Sequence, residues 1–536
     1  MIPLEWMPPL MFGGLVVFML IGFPVSFSLA AVGLCFGFIA IDHGFFTFPF
    51  MQAIPGRIFG SILSNDLLLA IPFFTFMGAI LEKCGLAEDM LDSMGQLFGP
   101  IRGGLGYSVI IVGFILGAIT GTVAAQVIAM ALITMPIMMR YKYDMKYATG
   151  VLAASGTITQ LVPPSLVLVV LADQLGRSVG DMYLGAWGPS LIQIALFAGY
   201  TFYLSVMHPE KVPPVPRTLH GRPLLIKCMW GIIPAAVLIF LVLGTIMMGL
   251  ATPTEAGAIG AIGAIVLAVV RNTDLSRRDQ AIFVAGLAGC VIGGVLAAMG
   301  IKSILFRLAF SVSFGATWWL CWLAWRNQEQ RALIKQAFEA TMRITSMVAF
   351  IVVGATCFSI TFAGVDGNLW VEHLLTGLPG GVWGFLIVVN LFVFFLAFFL
   401  DFFEIAFIIV PMLAPVAQKI LTPVVGADAA LIWFGVMLCV NMQTSFMHPP
   451  FGFALFYLRS VTPKEIPSSI IYWGSLPWVG LQMIMVGLVI AFPVLVTMFL
   501  DKPSGVDPNT IKIEIQMPEQ QADEPPPVIM PGPRAN

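Results

Sequence analysis

Apolar residues run along this chain in blocks of about 20, the length that spans a lipid hydrocarbon core as a helix. Unbroken blocks near 8–23, 25–41, 66–82, 184–205, 229–250, 253–270, 281–300, 304–325, 343–364 and 471–499 each predict one spanning helix. Four further apolar regions, 104–139, 145–172, 383–421 and 429–458, are interrupted by Gly, Pro or polar clusters. The pattern therefore predicts an all-α polytopic membrane protein with four irregular elements.

Short loops carry the basic residues: Arg140, Lys142 and Lys146; Lys211, Arg217, Arg222 and Lys227; Arg271, Arg277 and Arg278; Arg326, Arg331 and Lys335; Arg459 and Lys464. The positive-inside bias puts all five loops in the cytoplasm. That holds only if 104–139 and 383–421 each enter and leave on one side, as two re-entrant hairpins dipping from opposite faces. Both termini then lie outside. The alternative is that each interrupted region is two ordinary spans.

Composition agrees. The 536 residues are 59% hydrophobic and 10% charged, with a mean hydropathy of +0.96. No soluble core hides that much apolar surface, so lipid must be the solvent. A net charge of −2 without a basic block argues against nucleic acid as a partner. The seven cysteines are scattered through apolar stretches and read as buried apolar fillers. The first apolar block has no basic n-region or small-residue cleavage site and reads as a span. Residues 207–222 read as a semi-rigid connector and the Pro-rich tail 501–536 as disordered.

Each interrupted hairpin is followed by an interrupted span. The first hairpin turns near Gly117–Thr122, and the next span breaks at Ser155-Gly156-Thr157-Ile158-Thr159-Gln160-Leu161-Val162-Pro163-Pro164-Ser165. The second turns near Leu400–Glu404, and the next span breaks from Asn441 through Thr444, Ser445, His448, Pro449 and Pro450 to Gly452. Hydroxyl or amide residues followed by Pro-Pro recur in the same order in two halves of opposite orientation. That is an inverted repeat, the architecture of many secondary carriers. Proline removes a backbone donor and breaks the helix. The freed carbonyls, tolerated only where they line a cavity, suit a hard cation such as Na⁺. Half-helix N-termini suit a carboxylate.

The candidate cation-binding residues are Thr120, Gly121, Thr122, Ser155, Gly156 and Thr157 in the first half, and Asp401, Asn441, Thr444 and Ser445 in the second. The candidate substrate-binding residues are Thr159, Pro163, Pro164, Ser165, His448, Pro449 and Pro450. Close helix packing is the alternative reading of the small residues, and Asp401 serves either a cation or the N-cap of the returning helix. Glu404 reads as a helix-start charge and Glu255 as a cap. Arg177 reads as a solvated or partner-facing charge. The stretch Gly294–Ser303 has the wrong spacing for a phosphate loop, leaving ion coupling as the energy source. A membrane-embedded transferase would need acidic metal-binding runs, and none is present in the sequence.

At these residues the chain resembles the large membrane subunit of tripartite ATP-independent periplasmic (TRAP) transporters. The resemblance rests on Leu69-Ala70-Ile71-Pro72-Phe73-Phe74 with Gly78, Thr120-Gly121-Thr122, Ser155–Ser165, Ala251-Thr252-Pro253-Thr254-Glu255-Ala256, Asp401 with Pro411 and Pro415, and Asn441, Pro449-Pro450 and Gly452. It covers roughly 5–270 and 335–500. It implies an elevator fold of the ion-transporter superfamily in the bacterial inner membrane, with Na⁺ as coupling ion and no organic cofactor. It implies a carboxylate substrate such as a C4-dicarboxylate or 2-oxo acid. It implies two partners, a small four-helix membrane subunit on a separate polypeptide and a periplasmic solute-binding protein. A stand-alone divalent-anion/Na⁺ symporter of the same superfamily is the alternative. The resemblance divides the chain into scaffold helices 1–65, a first repeat 66–205, a connector with scaffold helices 206–342 including an inserted pair 281–325, a second repeat 343–500, and the tail. His448 and Ala397 depart from the family pattern.

Overall fold

The computed structural model describes residues 3–298, 304–448 and 452–500. Among them there is no strand, and eleven helices are long and apolar enough to cross a membrane. The tail, for which disorder is expected, lies outside the described residues, as do Pro449 and Pro450.

In chain order the main helices are α1 Met7–Ile21, α2 Val25–Asp42, α3 Asp66–Lys83, α4 Leu86–Phe98, α5 Gly104–Thr120, α6 Val123–Arg140, α7 Met145–Thr157, α8 Leu166–Leu175 and α9 Val179–Met207. Then come α10 Arg222–Met247, α11 Pro253–Asn272, α12 Arg277–Ala298, α13 Ile304–Arg326, α14 Gln328–Gly364 and α15 Gly367–Thr376. The last five are α16 Gly381–Leu396, α17 Phe402–Val425, α18 Ala427–Met442, α19 Phe453–Val461 and α20 Ser468–Ala491. One order occurs twice: long helix, short helix, helix pair, broken helix, long helix. It runs from α3 to α9 and again from α14 to α20, with α10–α13 between.

Local chemistry sets the boundaries. Pro253 opens α11 behind Thr252, whose hydroxyl accepts from the Glu255 N–H at 3.3 Å while the Glu255 carboxylate accepts from the Thr252 N–H at 2.8 Å. This reciprocal cap is the expected role of Glu255 and satisfies two otherwise orphaned donors. Gly85, at φ +78°, separates α3 from α4, and the two helices meet at a 58° bend. The apolar block 471–499 is not one span: α20 ends at Ala491, before Pro493, and a short helix Val494–Thr497 follows.

Contacts tie together the two ends of each interrupted region. At the base of the first, the Gly103 N–H donates to the Val212 carbonyl and the Asp144 N–H to the Lys211 carbonyl, each at 2.9 Å. The start of α5 and the end of α6 thus meet one connector. At the base of the second, α15 leads into α16, and Lys419 of α17 reaches Glu372 of α15 at 2.8 Å. The basic loops also draw together. The connector bonds α4 through Val215 to Gly99 and Thr218 to Gln96, and Arg271 reaches Asp89 and the Gly85 carbonyl on the same helix.

Packing is reciprocal between the two halves. α6 rests on α19, the second part of the second broken helix, and α17 rests on α8, the second part of the first.

Candidate functional site

The first broken helix is helical to Thr157, takes one tighter turn over Ile158–Gln160, and resumes at Leu166 after the cis Pro163–Pro164 bond. The second is helical to Met442, turns over Gln443–Phe446, and resumes at Phe453. The two breaks touch. The Cys439 thiol donates to the Gln160 carbonyl at 3.2 Å, and the Thr157 hydroxyl lies 3.8 Å from the Met447 sulfur.

A cavity of ≈ 180 Å³ lies where both breaks meet both hairpin tips. The first tip lines it with Gly121, Thr122, Val123 and Ala124, and the second with Asp401, Phe402 and Phe403. The breaks supply Gln160, Leu166, Val167, Phe446 and Phe453. Ile344 and Met347 of α14 and Tyr457 of α19 close it. Such a volume exceeds the ~10–15 Å³ that seats one water and falls below the ~300–1,000 Å³ of drug-sized pockets.

Four helix N-termini face this space: α6 at Val123, α8 at Leu166, α17 at Phe402 and α19 at Phe453. Each carries about half a positive charge from its first-turn N–H groups; Ser165 caps one of these at α8 and the Asp401 carboxylate one at α17. Two come from hairpins and two from broken helices, one of each per half. Gly121 makes the first tip possible: it ends α5 at φ +61°, a conformation that costs a side-chain-bearing residue about 1–2 kcal/mol. Gly117, one turn earlier, lets the hairpin touch the break. A Cβ there would stand 3.0 Å from the Thr159 Cα.

The sequence-predicted residues divide into those on the cavity and those behind it. Gly121, Thr122 and Asp401 line it. Nothing is described of the Thr120 side chain. Gly156 packs directly against Val127 of α6. The Thr157 hydroxyl donates to the Ala154 carbonyl at 2.8 Å and accepts from Gln482 at 2.9 Å. Thr444 donates to the Asn441 carbonyl at 2.7 Å and Ser445 to the Met442 carbonyl at 2.8 Å. A hydroxyl that sends its proton one turn back keeps oxygen lone pairs for a cation. Ser155 Oγ and Asn441 Oδ1 are buried without a partner, and the Asn441 amide donates to the Asn390 carbonyl at 2.8 Å. Asp401 caps α17: it accepts from the Glu404 N–H at 2.9 Å, and the Glu404 carboxylate accepts from the Asp401 N–H at 2.9 Å.

On the proposed substrate side, Thr159 bonds Gln126 and the Gly156 carbonyl, and Ser165 caps α8 through the Val167 N–H at 3.2 Å. Pro163 and Pro164 are buried away from the cavity lining. The His448 ring stacks on Phe398 with centroids 4.1 Å apart and meets Phe394 edge-on. Arg177 keeps a quarter of its side-chain surface in solvent and is also held from within the chain. It donates to the Gln418 side chain at 3.0 Å and the Ala427 carbonyl at 2.9 Å, fastening the end of α8 to the base of the second hairpin. The planar guanidinium reaches two acceptors at once, which the loop position conceals.

Sequence reasoning missed a set of amides. Gln126 donates to the Gly113 carbonyl at 2.6 Å and the Ser155 carbonyl at 3.2 Å, locking both hairpin helices to the break. Gln160 lines the cavity at 3% exposure with its amide oxygen and nitrogen both unbonded. Asn390 and Gln482 complete the group. The available signal was an amide within an apolar run, which is costly in a membrane and usually functional. Among the described residues no group of three His, Cys, Asp or Glu is placed to hold a metal.

The model of the tripartite ATP-independent periplasmic transporter, DctM component, matches residues 12–321 and 309–495. The C4-dicarboxylate TRAP transporter large permease protein DctM of Rhodobacter capsulatus is 26% identical over 506 residues, 90% of this chain and 96% of its own length. The sialic acid TRAP transporter large permease protein SiaM of Vibrio cholerae is 26% identical over 474 residues, 88% and 93%. The Alcanivorax borkumensis YdaH transporter structure aligns with a TM-score of 0.48 at 15% identity, covering 82% of this chain and 87% of that one. The family match spans nearly all of the helical body, so the chain belongs to the DctM family of tripartite ATP-independent periplasmic transporters, as a large permease subunit of the bacterial inner membrane and not an enzyme.

Proposed function

We propose that this permease takes up a small organic acid, driven by Na⁺, through the cavity shared by the two hairpin tips and the two breaks. The observation that carries the reading is the convergence of four helix N-termini on one ≈ 180 Å³ space. Their partial positive charges favour an anion, and the small volume favours a short one.

The same space argues for a co-transported cation. Asp401 is the one charged side chain among the lining residues, and it is acidic. A carboxylate beside it is repelled unless positive charge enters too. Thr122, Ser155, Thr157, Asn441, Thr444 and Ser445 offer hard oxygen ligands around the breaks, the donor class that suits Na⁺. Membership of the family brings a small membrane subunit and a periplasmic binding protein as partners, the latter delivering the solute. The carboxylate class is favoured by the dicarboxylate relatives, while relatives named for sialic acid and isethionate share the anionic character.

The reciprocal packing of each hairpin on the other half's broken helix supports reading these elements as one body. In our reading that body is the inverted-repeat transport domain. Its hairpins re-enter the membrane from opposite faces, and it moves as an elevator against α1–α3, α10–α11 and α14. Reconstitution of the permease with its small subunit in proteoliposomes tests the whole reading. Uptake of a dicarboxylate should need both an inward Na⁺ gradient and the loaded binding protein. Equal uptake without either overturns it.

A further inference from the structure

Away from the central cavity, the described ends of α12 and α13 frame an open cleft of ≈ 550 Å³. Its walls include Arg278, Asp279, Trp319, Trp322, Arg326 and Asn327. The Arg278 guanidinium lies 5.4 Å from the Trp319 ring centroid, and Arg326 stands 5.4 Å from that of Trp322. The two indoles pack together with centroids 5.0 Å apart. Asp279, the one acid in this lining, is already engaged, accepting from the Trp319 indole at 2.9 Å and the Ser276 hydroxyl at 2.6 Å. The 37-residue helix α14 begins beside it, with Asn327 as N-cap, and the 22-residue α12 begins after Ser276. Two guanidiniums and two helix N-termini therefore surround the space. The C-terminus of α13, which carries the opposite partial charge, ends at Arg326 itself.

We infer that this cleft binds the phosphate headgroup of an anionic membrane lipid. Arg278 and Arg326 hold the phosphate, and Trp319 and Trp322 fix both guanidiniums as stacked platforms. The choice of a lipid over free phosphate follows from what adjoins the cleft. Leu323 forms part of its wall, and Trp318, Trp322, Trp325, Phe314 and Phe310 of α13 expose 71%, 44%, 59%, 65% and 63% of their surface. That apolar face begins at the cleft and runs along α13, as acyl chains would. Exposed tryptophans beside arginines at a span end mark the level of lipid headgroups, and basic pockets between spanning helices suit such phosphates.

Native mass spectrometry of the detergent-purified permease tests the assignment with phosphatidylglycerol, phosphatidylcholine and inorganic phosphate as probes. Wild type should retain phosphatidylglycerol over phosphatidylcholine, and millimolar phosphate should not displace it. Arg278→Gln/Arg326→Gln should weaken that retention on the order of 30-fold. Arg278→Lys/Arg326→Lys, which keeps the charge, should fall between the two. The control Arg140→Gln/Lys142→Gln on another basic loop should retain lipid like wild type. Unchanged retention in the glutamine pair, an equal loss in the control, or displacement by free phosphate overturns the site. The four substituted positions, Arg278, Arg326, Arg140 and Lys142, are exposed, and a monodisperse elution profile confirms folding in each case.

Discussion

Gln482 of α20 donates its amide to the Thr157 hydroxyl across 2.9 Å, pinning the last turn before the first break to a helix 325 residues away in sequence. Both side chains are completely buried. Thr157→Val leaves that donor unpartnered in the interior, at a cost of about 1–3 kcal/mol. Thermal unfolding should show the loss, and Thr157→Val/Gln482→Leu should recover most of it. Na⁺-dependent uptake should stay low in both variants, because the cation has lost a ligand. Recovery of Na⁺ dependence with stability would make Thr157 a packing residue alone.

That pairing shows what sequence could and could not deliver. The breaks were legible because Pro163-Pro164 and the hydroxyls around them interrupt otherwise apolar runs, and each tip was legible from Gly121 or Asp401 within such a run. The amide partners were not, since Gln126, Asn390 and Gln482 make their contacts in three dimensions. The short helix α4 is not legible as a span because Glu88, Asp89 and Asp92 lower its hydropathy. The apolar pattern predicts a span only from 343, whereas α14 starts at Gln328, since Arg331, Lys335 and Glu339 hide an amphipathic beginning. The short helices Phe48–Met51 and Ala53–Arg57 were missed for a related reason: Pro49 and Pro55 fragment the run.

Asp401 separates its two candidate roles by substitution. Asparagine caps a helix about as well as aspartate, so Asp401→Asn should unfold near the wild-type temperature. It removes the one charge on the cavity lining, so the Na⁺ concentration for half-maximal uptake should rise severalfold. Asp401→Ala should lose about 0.5–2 kcal/mol of stability as well. If Asp401→Asn transports with wild-type Na⁺ dependence, the carboxylate is a cap and nothing more.

Gly117 allows the first hairpin to touch the first break. The Thr159 backbone stands where a methyl group would go, and backbone yields less readily than a side chain. Gly117→Ala should cost about 1–3 kcal/mol through overpacking and lower uptake by separating the tip from Gln160. Gly176→Ala is a useful contrast: it has open space but a φ of +61°, so it should lose stability through backbone strain while uptake per folded molecule is unchanged. Equal uptake per folded molecule in both variants would show that this contact does not shape the cavity.

Gln160 offers a direct measure of what the cavity holds. Its amide oxygen and nitrogen are buried, unbonded to protein, and on the lining. Gln160→Leu keeps the approximate volume and removes the uncompensated polar atoms, so stability should be unchanged or higher. Solute binding should suffer, because a site that hydrogen-bonds its ligand discriminates strongly when the bond is lost. We expect KM for the solute to rise about tenfold or more, matching the loss of ~1.4 kcal/mol in a polar contact, with the Na⁺ requirement intact. A rise in KM for Na⁺ instead would move Gln160 to the cation side of the cavity. An unchanged KM for both would leave the amide without a ligand and return the polar reading of the cavity to Thr122 and Tyr457, the other uncharged polar groups on its wall.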